Sequence, residues 1–278
     1  WKPSADPQPG WDSPWGWGRP GWHLECSAMA EVHLGETIDI HGGGQDLVFP
    51  HHENERAQSV CSHGGSPFAR YWVHNGFVTV EKRKMSKSLG NTLVVHELLK
   101  QHPGEVLRYL LLSAHYRQPL DWSEKELERA RRTLDRLYSV LRTAGDRFGP
   151  FEAADRPGQA FLDALRDDLN TPVALAEFNR VARDLAKAET AEEAHNAAAE
   201  LLADAEFIGL LRASPDEWFG GETEDSESAA IEALIEKRNQ ARAERDFATA
   251  DEIRDELTAM GILLEDAGGV TRWRRKDG

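Results

Sequence analysis

Two cysteines, Cys26 and Cys61, are all that the 278 residues contain. That is too few for a disulfide scaffold, and a reducing cytosol is the default expectation. No apolar run approaches the ~18–20 residues of a membrane-crossing helix. No signal peptide is visible either. A cytoplasmic protein without a membrane partner is therefore expected. Positive charge is also in short supply. Lys+Arg number 33 against 48 Asp+Glu, a net charge of -15. An acidic chain is repelled by a phosphate backbone, which argues against indiscriminate nucleic-acid binding and leaves only local basic patches. An initiator Met is missing. The opening WKPSADPQPGWDSPWGWGRPGW (1–22) is rich in Pro and Gly and reads as surface loop, so the sequence is expected to enter a larger protein partway through.

What is present changes character along the chain. Residues 23–34 (HLECSAMAEVHL) read as a short helix closed by Gly35, and 36–40 (ETIDI) as a strand leading into HGGGQD. Pro50 suits the first turn of a helix, where its missing N–H costs nothing, and that helix is expected to reach about Cys61. Residues 71–80 (YWVHNGFVTV) read as a strand or hairpin, and 94–101 and 103–114 as helices. Alternation of helix and strand argues for an α/β unit with parallel strands. From about 123 the pattern becomes helical. Leu127, Leu134, Leu137 and Leu141 recur at helical spacing, and Ser123 is placed to cap. Residues 157–170, 172–189, 190–205 and 206–212 continue as helices, an all-α bundle. The acidic SPDEWFGGETEDSES (214–228) reads as linker. Helices over about 228–244 and 247–260 follow, then two short strands turning at Gly268-Gly269.

Four constellations carry candidate chemistry. Cys26, His51 and Glu55 offer thiolate, imidazole and carboxylate, all accepted zinc ligands. His51 and Glu55 are four apart and share one helix face. His52 competes but has Arg four residues on, and Cys61 lies six residues past Glu55 and points away. A solvated helix start beside a buried Cys accounts for the same residues. HGGGQD (41–46) follows a strand, and its glycines would let a ligand approach the backbone, with Asp46 placed for ribose hydroxyls; a plain flexible turn reads the same way. EKRKMSKSLGN (81–91) concentrates Lys in a chain otherwise poor in it, which suits phosphate charge or an ordinary solvated loop. Last, Arg272, Trp273, Arg274 and Arg275, with Arg242 and Phe247, could stack on unpaired bases or form a packed hairpin with a basic edge.

These stretches together resemble one family. KMSKS (84–88) is similar to the second signature of class I aminoacyl-tRNA synthetases. With GRPGWHLEC (18–26), HGGGQDLVFPHHENE (41–55) and WVHNGFV (72–78) it resembles the cysteinyl-tRNA synthetases. FLDALRDDLNTP (161–172) resembles their DALR helical domain, and 241–275 their anticodon module. The resemblance implies an α/β second half of a Rossmann-like class I catalytic domain over 1–122. An all-α DALR-type bundle over 123–213, a linker over 214–227 and a small α+β module over 228–278 would follow. It implies ATP-dependent activation of cysteine to an adenylate and transfer to tRNA with a GCA anticodon, in a protein whose commonest form is a monomer. It implies one zinc, held by Cys26, His51 and Glu55, that takes the substrate thiolate. Zinc prefers sulfur to oxygen, so serine is rejected where a packing pocket alone discriminates poorly. Trp22 and His41 would line the cysteine pocket. Gly42, Gly43, Gly44 and Asp46 would sit on the nucleotide side, and Lys87, Lys84, Ser86 and Ser88 would serve the ATP phosphates, with Mg-ATP as substrate. Arg242, Phe247, Asp251 and Asp266 would contact the anticodon with Trp273 as neighbour. Phe247 stands where many relatives have Trp.

The family's His-Ile-Gly-His signature and a further zinc-ligand Cys are not found in these residues. The expectation is that this chain alone lacks adenylation activity and binds zinc weakly. Two rivals stay open. One is the related ligase that joins cysteine to an amino sugar in mycothiol synthesis. The other is a non-catalytic tRNA-binding fragment or split subunit.

Overall fold

The computed structural model describes residues 1–85, 93–220, 225–267 and 270–275. The chain divides into two compact units, 1–94 with 114–123, and 95–113 with 124–278.

The first unit opens with the loop expected from its composition. It is closed by a short antiparallel pair, β1 (Lys2–Pro3) with β2 (Gly18–Arg19). The Arg19 guanidinium gathers the loop by donating to Pro3 O (3.2 Å), Ser4 Oγ (3.1 Å) and Gln8 Oε1 (2.8 Å). Helix α1 (Trp22–Leu34) ends at Gly35, whose φ of 90° only glycine adopts without strain. Strand β3 (Ile38–Gly44) then leads through a 3-10 turn (Gln45–Leu47) and a widened helical turn (Val48–His52) into α2 (Glu53–Ser62). Strand β4 (Ala69–Asn75) returns parallel to β3. Strand β5 (Val78–Val80) lies between antiparallel β6 (Arg83–Lys84) and parallel β7 (Leu120–Trp122). The parallel pairings carry the α/β character expected.

Two sequence expectations are corrected here. Residues 71–80 are not a hairpin, because β4 and β5 belong to different sheets. The Gly42–Gly44 run is not a turn but the end of β3, in register with Val73, His74 and Asn75. Glycine weakens a strand, so the residues read as a turn. Close packing explains them instead: a Cβ on Gly43 would meet the His52 ring at 2.8 Å and Leu47 at 3.0 Å.

The second unit holds α3 (Val95–Leu98), α4 (Gly104–Leu112) and α5 (Glu124–Phe148). On α5 the buried residues Leu127, Ala130, Leu134, Leu137, Leu141 and Ala144 form one stripe. Each fully buried Leu there contributes about 1.5–3 kcal/mol. Helices α6 (Gln159–Arg166), α7 (Thr171–Lys187) and α8 (Ala191–Ile208) follow; α7 and α8 pack on α5, and α6 packs on α7. Asn170 caps α7, and Thr190 with Glu193 forms a reciprocal capping box on α8. The helix expected over 206–212 is not separate. Helix α8 runs to Ile208 and stops at Gly209 in the left-handed region. The stretch 214–227, expected to be linker, contains α9 (Pro215–Gly220) and the start of α10 (Asp225–Ala243), with 221–224 outside the described residues. Its acidity masked two buried aromatics. Trp218 stacks on Tyr138 at 4.5 Å and donates to Asp135 at 2.8 Å, and Phe219 is buried beside Arg142. Helix α11 (Phe247–Ala259) and the antiparallel pair β8 (Ile262–Ala267) and β9 (Val270–Arg275) complete the unit. Their core is Ile231, Ile235, Ile253, Leu257, Ile262 and Trp273.

Candidate functional site

Helix α1, strand β3 and the turn before α2 bring one cluster together. Ser27 Oγ on α1 donates to His23 O (3.1 Å) and lies 3.4 Å from Glu55 O, tying α1 to α2 beside Cys26. The turn at Val48–His52 is wider than an α-turn, with Phe49 extended at φ -137°, ψ 133°. It leaves His51 and His52 both buried, and α2 then places Glu55 one turn beyond His51, 1% exposed. Such widened turns recur where side chains must be re-aimed.

Cys26, His51 and Glu55 offer ligand atoms that all lie within 4.8 Å of one another. His51 Nε2 is 2.6 Å from Glu55 Oε1, and His41 Nε2 is 2.8 Å from Glu55 Oε2. Oε2 is a buried oxygen that makes no hydrogen bond, with His41 standing against it. A buried carboxylate oxygen left without a hydrogen bond is costly. Among soft and borderline donors it is what a divalent cation would satisfy, and thiolate, imidazole and carboxylate suit zinc. Burial pushes the Cys26 thiol up, and the Glu55 carboxylate adds to the push. A cation there would reverse that balance. His41, His52 and Glu55 form a second group of the same reach, so the competition of His52 with His51 is visible in the fold. His52 is otherwise engaged: its Nδ1 lies 2.8 Å from His74 Nε2. Burial first, then His41, His74 and His51, lower its pKa to about 4, so it is neutral at pH 7.

Trp22 stacks on His51, centroids 3.9 Å apart and planes at 25°, and is itself half exposed. His41 is edge-on to Trp72 (4.9 Å) and His52 (4.6 Å). Trp72 and His74 were not singled out from the sequence. The available signal was their period-2 spacing on β4, which turns both toward one face. Asp46 is exposed in the 3-10 turn after the glycines. Of the Lys loop, Lys84 pairs through its backbone with Thr79. Ser86, Lys87 and Ser88 lie outside the described residues.

The second cluster lies in the C-terminal module. Arg242 Nη1 donates to Asp266 Oδ2 at 2.9 Å, which joins two of the residues expected at an RNA site. Arg238, not anticipated, grips the same carboxylate with both arms (3.1 and 2.8 Å). Phe247 is 63% exposed at the first turn of α11. Asp251 pairs with Arg254 at 3.2 Å and acts electrostatically on Arg238. Trp273 is buried and donates to Glu232 at 2.8 Å.

Three family models match the chain. That described as the tRNA synthetases class I (C) catalytic domain matches residues 1–132, the DALR domain 160–212, and the cysteinyl-tRNA ligase anticodon binding domain 224–274. The chain is 58% identical over 280 residues to a cysteine–tRNA ligase of Maricaulis maris, covering 100% of this chain and 60% of that protein. It is 54% identical to one of Xanthomonas campestris, covering 99% of this chain and 59% of the relative. The chain thus spans about 60% of the length of the curated relatives it matches. Among solved structures, LeuRS of Agrobacterium radiobacter K84 in a ternary complex is similar at a TM-score of 0.44 and 19% identity, over 60% of this chain and 24% of that one.

Proposed function

The chain belongs to the cysteinyl-tRNA synthetase family, and from that premise we propose that it serves the ATP-dependent ligation of L-cysteine to tRNA(Cys) through a cysteinyl-adenylate. The observation that carries this reading is the Cys26–His51–Glu55 group, with a buried Glu55 oxygen that has no hydrogen bond. In this reading those three residues hold one zinc ion, and a further Cys ligand comes from outside these 278 residues. When bound, zinc supplies a Lewis-acid centre that prefers the substrate's thiolate to a hydroxyl. The protein's own part is orientation. Trp22 braces the His51 ring from the open side. His41 stands against Glu55 and, with Trp72, lines the cysteine pocket. His52, whose Nδ1 is taken up with His74, leaves the ligand roles to His51 and Glu55.

The nucleotide side is assigned to Gly43 and Gly44 at the end of β3, to Asp46 in the turn after it, and to Lys84, Ser86, Lys87 and Ser88, with Mg-ATP as substrate. Lys87 would stabilise phosphate charge as it develops. We assign 1–122 to the catalytic portion, 123–213 to the helical bundle and 228–278 to anticodon recognition. The segment 214–227 joins them. Arg242, Phe247, Asp251 and Asp266 meet the anticodon, with Trp273 holding the hairpin in place. A monomer in the cytoplasm is the proposed setting. The mycothiol-pathway rival has no use for an anticodon module, and the match over 224–274 favours the tRNA enzyme.

Residues 1–278 do not contain the His-Ile-Gly-His signature, so in this reading they do not activate cysteine by themselves. Cysteine-dependent pyrophosphate exchange is expected to be at background for residues 1–278 and to appear when the chain is joined to the remaining part of a relative. Robust exchange by residues 1–278 alone would sink that claim. Exchange with serine as readily as with cysteine in the joined protein would sink the zinc-selection claim.

A further inference from the structure

We infer that Arg238 is a positioning residue. It holds the Asp266 carboxylate as a fixed hydrogen-bond acceptor for the N–H edge of an unpaired nucleobase, while Arg242 is the partner that gives way. This rests on the reading that the module takes up the anticodon.

Arg238 is 7% exposed, and arginine is almost never buried unless paired. Its planar fork meets both carboxylate oxygens, Nη1 to Oδ1 at 3.1 Å and Nη2 to Oδ2 at 2.8 Å. A bidentate pair fixes the carboxylate plane, which a single contact does not. Thr271 Oγ1 adds a 2.6 Å bond to Oδ1 and lies 2.9 Å from Asn239 Oδ1. A hydroxyl has one proton, and the nearer, charged oxygen takes it. Arg242 fills the fourth place, on Oδ2 at 2.9 Å. A carboxylate has about four lone-pair sites, so Asp266 is fully subscribed before RNA arrives. A base N–H must displace one of these partners. Arg238 holds from within and Thr271 from across the β8–β9 pair, whereas the Arg242 side chain is 47% exposed and that of Asp266 is 41% exposed. Arg242 is therefore the exchangeable contact, free to turn to the base or a phosphate. The carboxylate stays where Arg238 has set it. Pre-organisation of this kind shows as discrimination between bases.

The test is binding of residues 1–278 to an anticodon stem-loop RNA carrying GCA and to RNAs with single-base changes in it. Arg238→Ala is expected to lower the ratio of cognate to altered RNA affinity roughly tenfold. Affinity for the altered RNAs and the slope of log K against log salt should stay as in the wild type. Arg238→Lys restores the charge but not the fork, so the ratio should stay low. Combined with Asp266→Asn, Arg238→Ala should add nothing. Equal weakening of every RNA with a shallower salt slope would identify Arg238 as a phosphate contact and overturn the proposal. An additive double variant would overturn it too. A wild-type protein that does not discriminate would reject the anticodon reading itself. Full discrimination retained in Arg238→Ala would reject only the positioning role. Should Arg238→Ala fail to fold by circular dichroism, Arg238→Lys, which keeps the buried charge and loses the fork, decides instead. In that variant a lowered ratio supports the proposal and an unchanged one overturns it.

Discussion

Glu55 in the first unit and Asp204 in the helical bundle are both buried carboxylates, and each has one oxygen with no hydrogen-bond partner. Their surroundings separate them. Around Glu55 stand Cys26, His41, His51 and His52, whose lone pairs converge. Around Asp204 the polar contact is the Gly158 N–H at 2.8 Å, which the other oxygen accepts. The charges that act on it are Glu200, Arg180 and Glu177. An unsatisfied buried oxygen alone does not make a ligand site. A convergent donor set turns it into one, and without that set the oxygen is a cost to be relieved by a proton.

The comparison breaks most sharply at Glu55. Glu55→Gln keeps the shape but replaces an anionic oxygen by an amide. Zinc affinity of residues 1–278, measured by competition with a chromophoric chelator, is expected to fall at least ~100-fold, since even outer-shell partners of metal ligands are worth 10–100-fold. The same change at Asp204 should leave zinc affinity alone. Equal affinity in wild type and Glu55→Gln would remove Glu55 from the ligand set.

Asp204 should respond to protons instead. Burial is the main cause that raises its pKa to about 6. The sign follows. With the folded value above the unfolded one, near 4, this group's contribution is present in full below pH ~4. It is lost as pH rises through about 6, a difference of up to ~3 kcal/mol. Asp204→Asn should therefore stabilise the protein at pH 7.5 relative to wild type, with the advantage shrinking toward pH 4.5. Thermal melts at the two pH values check this. The same difference at both would mean that ionisation of Asp204 plays no part.

Periodicity and local spacing made much of this readable in the sequence. The α5 stripe follows from Leu127, Leu134, Leu137 and Leu141 alone, because a long amphipathic helix has little alternative. His51 and Glu55 follow from a four-residue spacing that a helix turns into contact. What was not readable depended on partners distant in sequence. The Gly42–Gly44 run looked like a turn because the reason for its glycines, the His52 ring, arrives from the next element. Trp218 and Phe219 sat in an acidic stretch whose composition outweighed them, although two large aromatics side by side were a signal of burial. Arg238 could not be separated from other helix arginines, since its partner Asp266 lies 28 residues on.

The two cysteines give the finest version of the comparison. Cys26 lies within ligand reach of His51 and Glu55, whereas Cys61, on the same helix as Glu55, is exposed. Six residues along an α-helix is about 600° of rotation, so Cys61 faces away from Glu55 by roughly a third of a turn. Nothing converges on it among the described residues, and a surface thiol away from such features is worth within ±0.5 kcal/mol. Cys61→Ser should accordingly change neither melting temperature nor zinc affinity beyond about twofold, while Cys26→Ser removes a ligand and lowers zinc affinity by at least ~10-fold. Metal titration of both variants decides it. A loss on Cys61→Ser that matched the loss on Cys26→Ser would mean that the helix rotates on metal uptake. The burial of Glu55, not its neighbours' lone pairs, would then be the feature to reconsider.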